Sequence, residues 1–172
     1  MRKMLLGLAA AVAISVGALS LDAATDEEDN PTALAGAMSG VKTTLEAGLK
    51  ASEREGEPIS AKFEIEDGKL QLSIYTATDK GFVETVLDPA TAAIVKAERI
   101  TEADDLKEAN IQSGSMATAS RSSLLTTTAE VVKANAGFRA VRVVPDIQEG
   151  RSVALVTLLQ GTNFKTVTAP LN

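Results

Sequence analysis

The 172-residue chain contains no cysteine, histidine or tryptophan, and its aromatic residues are one tyrosine and four phenylalanines. Without cysteine there is no disulfide, thiol nucleophile or thiolate zinc site. Without histidine there is no imidazole base and no histidine-ligated metal. We therefore expect no enzyme, no catalytic or cofactor-binding residue and no bound metal. The net charge of −6 and the scarcity of aromatic residues also argue against a nucleic-acid binder.

The N-terminus has the three parts of a secretory signal peptide. Two basic residues precede an uncharged run at residues 5–19, and small residues follow before an acidic run at residues 26–29. The uncharged run is short for a bilayer-spanning helix, which needs about 20 apolar residues. We expect residues 1–23 to be a cleaved signal peptide and residues 24–31 an acidic linker. The expected location is the periplasm or the medium, with no membrane attachment after cleavage.

Residues 32–100 have the pattern of one helix followed by three or four antiparallel strands, which is an α+β unit. Asn30 suits the N-cap and Pro31 the first helical position. Apolar residues then recur at spacings of three and four over residues 34–49, as on one face of a helix. The period changes to two over residues 59–75, which predicts half-buried strands.

A second unit is predicted for residues 116–172, because two fifteen-residue stretches correspond without a gap. GKLQLSIYTATDKGF begins at Gly68, and GRSVALVTLLQGTNF begins at Gly150, 82 residues later. An offset of this size indicates duplication of a whole small domain. Residues 101–115, between the units, are expected to form a short helix capped by Thr101 and a linker.

The second unit is expected to begin with a Ser/Thr-rich helix over residues 117–135. The strand expected at residues 152–159 is apolar on both of its faces, and such a strand is normally covered on both sides. The net charge is −3 for residues 32–100 and +3 for residues 115–172. These opposite charges favour docking of the two units within one chain, with a homodimer as the alternative.

An apolar run is interrupted at Asp88-Pro89-Ala90-Thr91, where Asp88 and Thr91 are either site residues or turn residues. Asp in the first position and Pro in the second are typical of a type I turn. A metal site would need further oxygen ligands, which the neighbouring sequence lacks. We interpret the segment as a structural corner, with a return strand starting at Ile94.

With the helix and strands before it, the segment LDPATAAI (residues 87–94) resembles the V-D-x-x-T-G-x-V hairpin of the PepSY domain family. Ala92 stands where that family usually has glycine. The resemblance covers residues 33–98 and extends more weakly over residues 117–170, where the Asp and Thr of the corner are missing. It implies a helix packed on a curled antiparallel sheet, similar to cystatin, and the internal repeat predicts that this unit is duplicated. It also implies a non-catalytic role in binding or restraining a peptidase outside the cytoplasm.

Two other functions stay open alongside peptidase binding. One is binding of a small ligand in an aliphatic pocket between helix and sheet. The other is a structural or assembly role in the cell envelope, with another envelope protein as the partner.

Two motifs that could indicate catalysis or metal binding have simpler interpretations. Ser39-Gly40-Val41-Lys42 matches the S-x-x-K pattern of penicillin-recognising enzymes. The S-D-N element is absent and only Lys165-Thr166-Val167 approaches K-T-G, so we interpret Ser39 and Lys42 as solvent-facing helix positions. The acidic runs at residues 26–29 and 102–105 lack the spacing of an EF-hand loop, so we interpret them as solvated or helix-capping residues.

Overall fold

The structure is a computed structural model that describes residues 30–119 and 123–171. The predicted signal peptide and most of the predicted acidic linker lie outside these residues. Within the described ranges, no helix is long and apolar enough to span a bilayer. The elements, in chain order, are α1 (Pro31–Ala37), α2 (Leu45–Ser52), β1 (Glu57–Glu66), β2 (Lys69–Thr78), β3 (Gly81–Leu87), β4 (Ile94–Arg99), α3 (Ala103–Ala117), α4 (Leu124–Ala134), β5 (Arg139–Gln148), β6 (Arg151–Gln160) and β7 (Asn163–Pro170).

All seven strands belong to one antiparallel sheet with the order β4-β3-β2-β1-β5-β6-β7. The sheet is open, with β4 and β7 at its edges. The two predicted units meet at its centre, where β1 pairs with β5 through Ala61 opposite Val143 and Lys62 opposite Arg142. The prediction of an α+β fold with an antiparallel sheet is confirmed, and the two units share one sheet.

The two halves of the sheet have corresponding hairpins. β1 begins at Glu57 and β5 at Arg139, 82 residues later, and β2 and β6 show the same separation. Pairing is irregular after Pro58 in β1 and after Ala140 in β5, so one extra residue enters each strand near its start. The hairpin turns also agree, because Asp67-Gly68 and Glu149-Gly150 all have positive φ angles between 51° and 75°.

Helices α2 and α4 lie side by side on one face of the sheet and form the main core with it. Leu45 and Leu49 of α2 are fully buried, as are Leu72 and Ile74 of β2 beneath them. Fully burying such a side chain stabilises the fold by about 1.5–3 kcal/mol relative to leaving it exposed. This face therefore supplies most of the apolar burial.

Helix α3 covers part of the opposite face, which we call the second face, and contacts β1, β2, β5 and β6. A smaller apolar cluster forms there around Ile59, Ile100 and Ala109. Strand β6 is consequently covered on both sides. Ala154, Val156 and Leu158 are buried on the face of α4, while Val153 and Leu159 are buried and Leu155 half-buried on the other.

The predicted two-sided burial of residues 152–159 is thus confirmed within a single chain. The predicted cover was the first unit, but the contacts come from α3, which lies between the units in sequence.

The predicted first helix is wrong in one respect, because the apolar stripe is divided between α1 and α2. Gly40 has φ +85°, a left-handed conformation that ends helical hydrogen bonding. Thr44 then caps α2, accepting a hydrogen bond from the backbone N–H of Ala47 at 3.1 Å. The predicted N-cap of α1 is confirmed, since Asn30 Oδ1 accepts from the backbone N–H groups of Thr32 and Ala33.

The segment between the two units also differs from the prediction. Thr101 does not cap α3; the N-cap is Glu102, whose side chain makes no capping hydrogen bond. Helix α3 has 15 residues and runs to Ala117, and the helix expected over residues 117–135 is the shorter α4. Only Ala109, Gln112 and Ser115 of α3 are buried, so its inner face has little apolar signal.

Candidate functional site

A cleft with a volume of about 340 Å³ lies on the second face, between α1 and α3. Lys62 pairs with Arg142 and Arg142 with Thr157, so these three residues of β1, β5 and β6 point to the same side of the sheet. Glu64, Tyr75, Val144 and Phe164 also line the sheet side of the cleft. Asn30, Pro31 and Leu34 of α1 and Glu108 and Gln112 of α3 complete the lining.

The two cationic side chains of the cleft, Lys62 and Arg142, differ in whether they form a salt bridge. Lys62 Nζ forms a salt bridge with Glu64 Oε2, two residues along the same face of β1, and the Glu64 side chain is only 9% exposed. Gln71 Nε2 also donates to Glu64 Oε1 at 3.2 Å. Arg142 is exposed and forms no salt bridge with any residue in the described ranges. Arg142 therefore offers its guanidinium to an incoming anion.

The far side of the cleft continues into a polar, partly buried row on β2 and β3. Tyr75 lies opposite Glu84 in the sheet. Burial raises the pKa of the Tyr75 hydroxyl, and the negative charge of Glu84 raises it further. Burial raises the pKa of Glu84 as well, and Glu64 adds to the rise, while a hydrogen bond with Ser73 opposes it. Tyr75 therefore stays protonated at neutral pH.

Gln112 is 2% exposed and lines the cleft from α3. Its Nε2 donates to Glu108 Oε1 at 2.7 Å, which leaves the side-chain oxygen directed elsewhere. That oxygen is buried and has no hydrogen-bond partner among residues 30–119 and 123–171. An unsatisfied buried acceptor costs about 1–3 kcal/mol. A donor that reached this oxygen would remove this cost.

A second cavity, of about 440 Å³, continues from the first along β5. The two cavities share Glu108, Gln112 and Val144 in their linings. The second one is bounded by Leu155, and by Ile111, which is 61% exposed. The charged cleft thus passes into a more apolar groove beside α3.

The cleft does not lie where an aliphatic pocket was expected, between helix and sheet. Leu45 and Leu49 of α2 fill the space above Leu72 and Ile74 on the first face. The cleft lies on the opposite face, and its lining includes four charged side chains. The sequence pattern marks Lys62 and Arg142 only as the solvent side of strands, with no sign that two helices enclose them.

The corner at Asp88 lies at the end of β3 and does not line the cleft. Asp88 Oδ1 accepts three hydrogen bonds at 2.9 Å, from the backbone N–H groups of Ala90 and Thr91 and from the Thr91 hydroxyl. The Thr91 hydroxyl and these N–H groups hold the pKa of Asp88 below its ordinary value. Ala92 follows with φ +57°, the conformation for which glycine is usual. The hydrogen bonds expected of a turn are therefore present.

The S-x-x-K motif does not lie on a helix, because α1 ends at Ala37. Ser39 and Lys42 are exposed in the segment between α1 and α2. Lys165, on β7, donates to Asn135 Oδ1 at 2.7 Å and lies 4.0 Å from the centre of the Phe138 ring.

The acidic run that the structure describes, residues 102–105, has no metal-site geometry. Residues 102–105 are exposed around the start of α3, and residues 26–29 lie outside the described residues. Among the residues that the structure describes, no group of three or more acidic side chains is arranged to hold a metal ion.

Comparisons with protein-family models, with curated proteins and with solved structures gave no match.

Proposed function

We propose that this chain is an exported, non-catalytic binding module, with the cleft between α1 and α3 as its binding site. The observation that carries the proposal is the pairing of an available guanidinium at Arg142 with an unsatisfied acceptor at Gln112 in one cleft. Pockets that bind ligands usually combine a few such polar groups with apolar walls, here Pro31, Leu34 and Phe164.

The proposed partner is an exported peptidase that the module binds or restrains. The support for this partner is the resemblance of residues 33–98 to the PepSY domain, including the corner from Asp88 to Thr91. The signal-peptide pattern of residues 1–23 supports a periplasmic or secreted location, in which such a peptidase would be met.

We also propose that the fold arose by duplication of a cystatin-like unit of one helix across antiparallel strands. The 82-residue separation of the strand starts supports this, as do the two matching irregularities and the two matching turns. In this proposal α2 with β1–β3 corresponds to α4 with β5–β7. The cleft is built against α1 and α3, which lie outside the repeated elements, so binding is a property of the assembled pair.

A site-specific photo-cross-linking amino acid tests the proposed function. It is placed at Thr157 in the cleft and, as the matched control, at Lys133, which is exposed on α4 on the opposite side of the sheet. Cells of the native host are irradiated, and cross-linked products are identified by mass spectrometry. We expect a polypeptide adduct at Thr157 that is absent at Lys133, and we expect the identified partner to be a peptidase that purified protein inhibits.

The outcomes separate the proposed function from its alternatives. A specific adduct with a non-peptidase envelope protein would contradict peptidase restraint and favour an assembly role. Absence of any polypeptide adduct at Thr157 would contradict binding of a peptidase in the cleft and favour a small ligand, for which the cleft volume is sufficient.

A further inference from the structure

The arrangement of Arg142, Gln112 and the apolar wall restricts the chemistry of the group that the cleft takes. We propose that the cleft binds the carboxyl-terminal end of a polypeptide, with the terminal carboxylate on Arg142 and the last backbone N–H on Gln112. This inference rests on the proposed function, in which the cleft is the binding site, and it names the part of the partner that enters.

Arg142 is the reason for proposing that the ligand carries a carboxylate. An arginine guanidinium presents parallel N–H donors that match the two oxygens of a carboxylate. The other cation in the cleft, Lys62, is already paired with Glu64. Arg142 has no salt bridge within residues 30–119 and 123–171, so an anion that enters the cleft meets it without displacing a partner.

The backbone N–H follows from Gln112. The amide nitrogen of this side chain donates to Glu108. The side-chain oxygen can only accept a hydrogen bond, and no described residue donates one to it. A fatty acid or inorganic phosphate could satisfy Arg142 but carries no N–H group. The end of a polypeptide carries both groups, a carboxylate and an N–H on the same residue.

The spacing of the two protein groups suits such a ligand. Val144 is the next residue after Arg142 on the same face of β5, and it lines both cavities together with Gln112. Two residues along a strand span about 7 Å. The part of the cleft that Val144 and Gln112 line therefore begins one such step along β5 from Arg142. The ligand's last side chain then lies against Pro31, Leu34 or Phe164, so we infer a preference for an apolar terminal residue.

Calorimetric titration with four probes tests the proposal. The probes are N-acetyl-alanyl-alanyl-leucine with a free carboxylate, the same peptide as its C-terminal amide, a depsipeptide in which an ester replaces the last amide, and inorganic phosphate. The proteins are the parent, Arg142→Gln, Gln112→Met, and Arg99→Gln as the matched control. Arg99 is an exposed arginine on edge strand β4, outside the cleft.

We expect the free acid to bind the parent and Arg99→Gln equally, and the amide and the depsipeptide each to bind about tenfold or more weakly, as lost charge-assisted and buried hydrogen bonds require. In Arg142→Gln, acid and amide should bind equally. In Gln112→Met, the free acid and the depsipeptide should bind equally. If Gln112→Met does not fold, the depsipeptide on the parent protein tests the same hydrogen bond.

Three results would overturn the inference: no binding of the free acid at millimolar concentration, equal binding of acid and amide by the parent, or phosphate binding that matches the free acid. The last result would show a simple anion site. If the inference fails while the Thr157 cross-link to a polypeptide persists, an internal segment of the partner occupies the cleft and the proposed function stands. If the peptide preferences hold but no polypeptide cross-links, the proposed function fails and the cleft takes free peptides.

Discussion

Replacement of Gly48 by alanine tests the packing of α2 on the sheet. A Cβ atom at this position would lie 2.5 Å from Leu72 Cδ2 and 3.1 Å from Ile74 Cδ1. Both of these side chains are fully buried, so neither can move away freely. Overpacking of this kind costs about 1–3 kcal/mol, and the higher helix propensity of alanine offsets about 1 kcal/mol. We expect Gly48→Ala to lower the free energy of unfolding by about 1 kcal/mol.

Gly36→Ala is the matched control, because Gly36 lies in α1 with no atom within 4 Å of an added Cβ. It should be neutral or stabilising by up to about 1 kcal/mol. The propensity gain is common to both variants, so their difference isolates the overpacking. Urea denaturation followed by circular dichroism measures both free energies. If Gly48→Ala is as stable as Gly36→Ala, the close packing of α2 on β2 described above is wrong.

Three further changes test other parts of the structure. Glu84→Gln should be more stable than the parent at pH 7, because the raised pKa of Glu84 means that its charged form is disfavoured in the folded state. This gain in stability should shrink as the pH falls and vanish below the ordinary pKa of 4.5. A difference in melting temperature that stays constant over thermal scans at several pH values would contradict the prediction. Asp88→Ala should lower the melting temperature at pH 7 and leave binding in the cleft intact. Because the pKa of Asp88 is lowered in the folded state, this loss of stability should fade as the pH falls below 3.8. Lost binding with an unchanged melting temperature would show instead that Asp88 belongs to a binding site. Arg139→Met should lower the free energy of unfolding, measured by urea denaturation, by about 2–3 kcal/mol, because Arg139 donates hydrogen bonds to the carbonyl oxygens of Val41 at 2.6 Å and Thr43 at 2.5 Å. A loss no larger than that of Arg151→Met, at an exposed arginine, would refute this role.

The strands and turns could be predicted because their signals are local. Alternation of apolar and polar residues predicts which side of a strand is buried, and Ala61, Phe63, Leu72 and Ile74 are buried as expected. The alternation does not predict that polar residues of the other side are buried as well, as Ser60, Glu64 and Ser73 are. The Asp88 turn depends on residues within four positions of one another, so its hydrogen bonds could be anticipated from the sequence.

The division of the first helix could not be predicted from the apolar spacing, because both α1 and α2 bury apolar residues. The stripe therefore continues across the break at Gly40. The length of α3 could not be predicted because its sequence has too little apolar pattern. Its buried residues, Ala109, Gln112 and Ser115, are small or polar, so the helix carries almost no hydrophobic periodicity.

The cleft was beyond prediction because it depends on contacts between distant parts of the chain. Arg142 and Lys62 become neighbours only when β5 pairs with β1, and Gln112 joins them only when α3 crosses the second face. A glutamine on a polar helix and an arginine in an alternating strand are both ordinary surface residues in sequence. What distinguishes them is that, among the described residues, the glutamine oxygen has no hydrogen-bond partner and the arginine has no salt bridge.

The central claim is that the cleft between α1 and α3 is the binding site of this protein. The most direct measurement is a map of backbone amide shifts in the ¹⁵N NMR spectrum of the purified protein, recorded as the free-acid tripeptide is added. We predict that the largest changes lie at Lys62, Gln112, Arg142 and Val144, and that Arg142→Gln needs about tenfold more peptide to reach half of each change. Changes confined to the edge strand β4 or to the outer side of α4, or no changes at saturating peptide, would contradict the claim.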